Sequence, residues 1–199
     1  METVNLTEHV NLTLHLIEHL KSQGIDTVVI GGVALAYHGY ERATRDIDLG
    51  VFVDFSRLVE AVSCFEVPDG FCVATTGTTT ADDPLGGVIS IGYPTIGGLD
   101  IYIQVVNFNN PLRLRRSPTR LIKPAIAASQ IDDETHLPFI PLGYLVLLKL
   151  IAGSAVDLMD VRNLMMEQSE DVFDEIQQLA AEFGLSRKYN AHVAPLKLG

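Results

Sequence analysis

The sequence predicts an α+β protein, in which a mixed sheet with flanking helices is followed by a mainly helical C-terminal part. Two observations favour this class. Short β-branched runs alternate with helical patterns up to Asn107, and beyond that point the apolar residues recur mainly with helical spacing. We predict an α/β core over residues 1–125 and a helical part over residues 126–199 that packs on the core.

The first elements alternate between helix and strand. Apolar residues recur every three or four positions from Leu6 to Leu20, which predicts an amphipathic helix ending near Gly24. A buried strand is predicted from Ile25 to Ile30, followed by a glycine turn and a short helix. Further strands are predicted at Asp46–Val53, Phe71–Thr75, Val88–Ile91 and Leu99–Val106, with a helix at Phe55–Phe65.

Helical patterns dominate the second half. Asn109-Asn110-Pro111 ends the last long strand. Three helices are then predicted, at Pro141 to about Ala152, Val156–Met166 and Asp171–Phe183.

Composition excludes several classes of protein. The chain is 47% hydrophobic and 20% charged, which is typical of a globular protein with a substantial core. A net charge of −11 argues against general nucleic-acid binding, although one segment is basic. Neither a signal peptide nor an apolar run of membrane-spanning length is visible, so we expect a cytoplasmic protein without a membrane partner. The basic segment contains Arg113, Arg115, Arg116, Arg120 and Lys123.

Two aspartates stand on alternate residues at the start of an apolar strand. Asp46 and Asp48 point to the same side of that strand, so their like charges are unfavourable unless a cation lies beside them. Mg²⁺ (or Mn²⁺) prefers carboxylate oxygens and leaves room for substrate phosphates. The pattern therefore predicts a metal site, and the alternative is a pair of surface carboxylates.

A third aspartate lies in a later apolar strand. If the strand around Asp100 pairs beside the strand of Asp46 and Asp48, three carboxylates meet on one face of the sheet. Two metal ions could then activate an attacking hydroxyl and stabilise a leaving phosphate.

These motifs together resemble the minimal nucleotidyltransferase superfamily, which has a polymerase-beta-like fold. The resemblance rests on Gly31-Gly32, then R-x-T-x-D-x-D from Arg42 to Asp48, then an apolar strand with Asp100. The stretch YLVLLKLIAGSAVDLMDVRNL, Tyr144 to Leu164, resembles a segment of the AbiEii/MenT-type branch. The expected fold is thus a nucleotidyltransferase-like mixed sheet.

The resemblance implies roles for individual residues. Catalytic and metal-binding roles are implied for Asp46, Asp48 and Asp100. Nucleotide-binding roles are implied for Gly31, Gly32, Arg42, Thr44 and Lys149. Alternatives remain for two of them: Arg42 could be a solvated loop charge, and Lys149 could snorkel from a core helix.

Four positions in the stretch from Tyr144 to Leu164 qualify these expectations. The branch has a D-x-x-D pattern at the end of this segment, and Asp157 and Asp160 fit it. We expect these two aspartates to cap or brace helices rather than bind metal. Ser154 and Val156 stand where this branch often has cations, which weakens the case for triphosphate binding.

The implied activity is transfer of a nucleoside monophosphate from an NTP to an acceptor hydroxyl, with Mg²⁺ or Mn²⁺. The acceptor could be tRNA, a protein or a small molecule. The protein could also be the toxin of a toxin–antitoxin pair, with an antitoxin protein as its partner. The alternative is a catalytically weak or inactive binding module that keeps the fold.

Overall fold

A mixed sheet of seven strands forms the centre of the protein in a computed structural model that describes residues 6–78, 80–112 and 118–198. The strands are β1 (Val28–Ile30), β2 (Ile47–Val51), β3 (Cys72–Gly77), β4 (Gly87–Thr95), β5 (Gly98–Asn107), β6 (Gln130–Ile131) and β7 (Pro138–Phe139). The helices are α1 (Leu6–Ser22), α2 (Gly31–Tyr37), α3 (Phe55–Ser63), α4 (Ile122–Ala127), α5 (Leu142–Ala152), α6 (Ala155–Met165), α7 (Glu170–Glu182) and α8 (Ser186–His192). Two short 3-10 segments lie at Pro118–Leu121 and Ala194–Leu198. The α+β class is therefore confirmed.

The strand order is β3-β4-β5-β2-β1-β7-β6. β2 lies between β1, with which it is antiparallel, and β5, with which it is parallel. In the second pairing Ile47 lies opposite Ile103 and Asp48 lies opposite Gln104. The strand that holds the aspartates is thus central, and both of its edges are hydrogen-bonded.

The two faces of the sheet are covered by different helices. Gly50 and Asp48 project from the same face of β2. Ile122 of α4 packs closely on Gly50, where an added Cβ would lie 2.9 Å from the Ile122 Cδ1. On the opposite face, the ring of Phe55 from α3 packs on Gly87. α1 lies beside α3, where the His19 Nε2 is 2.8 Å from the carbonyl oxygen of Ala61. Asp48 therefore lies on the face that α1 and α3 do not cover.

The largest differences from the predicted elements are short segments. Four elements have no prediction: β6, β7, α4 and α8. They span two to seven residues, too few to establish a periodic pattern. β7 pairs with β1 through Phe139 and Val29, so the sheet includes residues from the part predicted to be helical. The division at residue 125 stays a prediction.

None of the helices in the described ranges has the length and apolarity that crossing a bilayer requires. Of the basic cluster, Arg113, Arg115 and Arg116 lie outside the described residues.

Candidate active site

A cavity of about 380 Å³ opens between the Asp48 face of the sheet and helices α5 and α6. Four of the residues predicted for the site line it: Gly31, Arg42, Asp48 and Lys149. Its remaining lining includes Gln104, Asp157 and an apolar wall. That wall consists of Ile30, Pro84, Leu85, Val106, Phe108, Leu145, Leu148, Ile151 and Ala152.

The two glycines at the end of β1 form the first turn of α2 rather than a separate turn. Gly31 has φ +70°, and a Cβ there would overlap the Asp48 carboxylate. A Cβ at Gly32 would lie 2.8 Å from the Thr44 Cβ. Both glycines are therefore required for β2 and its preceding loop to approach α2, and phosphate contact by their backbone stays a prediction.

Asp46 and Asp48 are neighbours at the start of β2. Asp46 accepts a hydrogen bond of 3.0 Å from the Thr44 hydroxyl, and its side chain does not line the cavity. Burial, together with the charge of Asp46, raises the pKa of Asp48 to about 7, while Lys149 and Arg42 oppose this increase. The charged form of Asp48 is thus less stable in this site than in water.

Asp100 does not join these two carboxylates, and the expected cluster of three is wrong. Asp48 pairs with Gln104, four residues further along β5. The register of β5 against β4 then shifts at a bulge, because Ile91 lies opposite Ile103 but the next residue, Gly92, lies opposite Ile101. Beyond this bulge Asp100 pairs with Tyr93. The extra residue turns Asp100 to the face opposite Asp48, where its charge acts on His9 of α1.

The surroundings of that residue support this placement. The ring of Tyr93 packs on Tyr102, whose ring centroid is 4.0 Å from that of His9. Among the described residues, no group of three or more Asp, Glu, His or Cys side chains is placed to hold a metal. The residue beside Asp48 on β5 is instead a neutral amide, Gln104.

Lys149 lies in a buried ion-pair network instead of extending into solvent. Its ammonium is 2.7 Å from an Asp160 oxygen and 3.1 Å from an Asp157 oxygen. Asp160, which is 1% exposed, also lies 3.2 Å from the Arg42 Nε, as an ion pair rather than an aligned hydrogen bond. The network connects the loop before β2 with α5 and α6, and it sets two cations on the cavity wall.

The local sequence explains how α6 presents these acids. Gly153 has φ +66° and ends α5, and Ser154 then begins α6 as its N-cap. The Ser154 hydroxyl accepts a hydrogen bond of 3.1 Å from the backbone N–H of Asp157, and donates one of 2.6 Å to the Asp157 carboxylate. Asp157 thus caps α6 and Asp160 braces it, as the sequence predicted. Val156, which is 57% exposed, makes no part of the cavity wall.

The donor set fits one hard divalent cation. Asp48 supplies carboxylate oxygens from β2, and Asp46 supplies them from the position just before that strand. Mg²⁺ is usually held by one or two carboxylates together with substrate phosphates. A bound cation would also stabilise the charged form of Asp48, whose pKa burial raises.

Sequence reasoning missed Gln104, the ion pair of Arg42 with Asp160, and the apolar wall. Gln104 stands in an alternating strand, and that pattern could have marked it as facing the same side as Val106. The apolar wall combines Leu85 from a loop with Phe108 and Leu148, and their sequence positions gave no signal of a shared surface.

Comparisons with known proteins give distant likenesses. No protein family and no curated protein matches the chain. Among solved structures, it aligns with JHP933 from Helicobacter pylori at 14% identity and TM-score 0.48, covering 96% of this chain and 81% of that one. It aligns with an antigenic nucleotidyltransferase-like protein from Paracoccidioides brasiliensis at 16% identity and TM-score 0.42, covering 92% of this chain and 93% of that one.

A third likeness is to the antibiotic-resistance factor ANT(2'')-Ia, at 10% identity and TM-score 0.49, covering 94% of this chain and 98% of that one. Identities and TM-scores this low assign no activity to the present chain.

Proposed function

We propose that this protein is a nucleotidyltransferase, which binds an NTP with a divalent cation in the cavity between the sheet and α5–α6. The observation that supports this most is the closeness of two carboxylates, Asp48 in β2 and Asp46 just before it, with Arg42 and Lys149 on the cavity wall nearby. A triphosphate needs both a metal held by carboxylates and cationic side chains, because its charge exceeds what either supplies alone.

Each residue has a distinct part in this proposal. Asp46 and Asp48 would hold the cation, which, when bound, neutralises phosphate charge and favours ionisation of the attacking oxygen. Lys149 and Arg42 attract the triphosphate, and their ion pairs with Asp160 keep them in place. The apolar wall around Val106 and Leu148 accepts the uncharged part of the nucleotide.

The reaction is displacement at the α-phosphorus. The acceptor oxygen forms a bond to that phosphorus, the bond to the bridging oxygen breaks, and pyrophosphate leaves. The proton of the acceptor hydroxyl passes to water. The cavity volume of about 380 Å³ lies in the range of small-molecule sites. The acceptor, whether tRNA, a protein or a small molecule, stays a prediction, as do the toxin role and an antitoxin partner.

Binding is the first test. Each of the four NTPs is titrated calorimetrically with and without Mg²⁺, and we expect Mg²⁺-dependent binding of at least one. Asp48→Asn should abolish that dependence, whereas Asp100→Asn is the matched control and should keep it, since Asp100 lies on the other face of the sheet. Equal Mg²⁺ dependence in wild type and Asp48→Asn would contradict the proposal.

Transfer is the second test. NTPs labelled at the α-phosphate are incubated with the protein and with RNA, protein or small-molecule fractions of a cell extract. Label should enter one fraction with wild type and not with Asp48→Asn.

A second candidate function is a nucleotide-binding module that does not transfer. The observation that favours it is Gln104, a neutral amide where the expected third carboxylate would stand beside Asp48. Mg²⁺-dependent NTP binding, with no label transferred to any of the three fractions, is the outcome that supports this function over the first.

A further inference from the structure

Gln104 occupies a distinctive position in the proposed site. It lies directly opposite Asp48 in the parallel pairing of β2 with β5, and paired residues project from the same face of a sheet. Both side chains line the same cavity. Among the residues that the structure describes, the Gln104 amide has no hydrogen-bond partner, so its N–H₂ and carbonyl groups are free to meet a ligand.

The other acids near the cavity have partners. Asp157 is bonded to Ser154 and Lys149, and Asp160 is paired with Lys149 and Arg42. Asp48 and Asp46, which accepts one hydrogen bond from the Thr44 hydroxyl, are thus the carboxylates that no cationic side chain pairs with among the described residues near the cavity.

Two divalent ions in close proximity need more negative charge than this. Sites for two metals hold the ions about 3.5–4 Å apart, and their four positive charges repel unless carboxylates lie between and around them. Asp46 and Asp48 supply two negative charges, and the neighbouring cations Lys149 and Arg42 are already balanced by two other carboxylates, those of Asp157 and Asp160. One ion is compatible with this balance, and a second ion would need a further acid where Gln104 stands.

We infer that the site takes a single divalent cation, held by Asp46 and Asp48, and that Gln104 sets this number by occupying the place of a third carboxylate. The inference rests on the proposed function, because it concerns the same site. The Gln104 amide then donates a hydrogen bond to a phosphate oxygen of the substrate, a contact that a carboxylate there could not make.

The experiment counts bound ions. Mn²⁺ is titrated into the protein, alone and with inorganic triphosphate, and binding is followed by calorimetry and by the loss of the free-ion paramagnetic resonance signal. Wild type should bind about one Mn²⁺ per chain, and Gln104→Glu should bind about two. Ser90→Asp is the matched control, since Ser90 pairs with Gln104 on its other side, away from Asp48, and it should bind about one.

Each outcome decides between the alternatives. Two ions in wild type, or an unchanged Gln104→Glu, would overturn the inference and leave the proposed function intact. Absence of Mn²⁺ binding by wild type under both conditions would overturn the proposed function as well. If Gln104→Glu does not fold, Gln104→Asp is measured against the same criterion.

Discussion

Replacing Asp48 by asparagine should stabilise the metal-free protein at neutral and alkaline pH. The pKa of Asp48 is raised from its ordinary value of 3.8 to about 7 by burial and by Asp46. Since the folded state holds this proton more tightly than the unfolded state does, the stabilising contribution is full below about pH 3.8 and is lost as the pH rises through about 7. Asparagine does not titrate and keeps the shape of the side chain.

The magnitude follows from the shift. Three pKa units correspond to about 4 kcal/mol, at 1.36 kcal/mol each. Water penetration and local relaxation reduce this figure, so we expect the advantage of Asp48→Asn to grow by about 2–4 kcal/mol between pH 4 and pH 8. The unfolding free energy is measured by urea denaturation of both proteins over this pH range in the presence of a chelator.

Two controls isolate the cause. Asp100→Asn removes an acid from the same sheet at an exposed position, so it controls for the loss of one negative charge from the sheet. Saturating Mg²⁺ should stabilise wild type at pH 8 and leave Asp48→Asn unchanged, because a bound cation compensates the Asp48 charge. An advantage of Asp48→Asn that is flat, or that falls as the pH rises, would refute the reasoning about burial and charge.

Three further substitutions test the architecture of the site. Lys149→Met should lower the unfolding free energy, measured by urea denaturation, by about 2–4 kcal/mol, because buried Asp160 then keeps only Arg42 as a cationic partner. Combining Lys149→Met with Asp160→Leu should recover part of this loss. Gly31→Ala should cost at least about 2 kcal/mol more than Gly39→Ala in thermal unfolding, because both have positive φ but only the Gly31 position meets a carboxylate. Asp100→Asn should leave the affinity for Mn²⁺ unchanged in calorimetry, and a weaker affinity would place Asp100 at the metal after all.

The sequence determined the parts of the site that depend on neighbouring residues. The apolar β-branched run located β2 with Asp48 inside it, and helical spacing located α1, α3, α5, α6 and α7. That Asp46 projects to the same side as Asp48 stays a prediction. The Ser154 cap with Asp157 is equally local.

The residues that lie beside Asp48 are selected by contacts between distant parts of the chain. The register of β2 against β5 is set by packing between segments far apart in the chain, and it selected Gln104. A single bulged residue, Tyr102, then reversed the direction of Asp100, because side chains alternate with a period of two and one extra residue exchanges the faces. Strict alternation along β5 predicts that Asp100 lies on the same face as Gln104 and Asp48. No feature of the sequence around Tyr102 reveals the bulge.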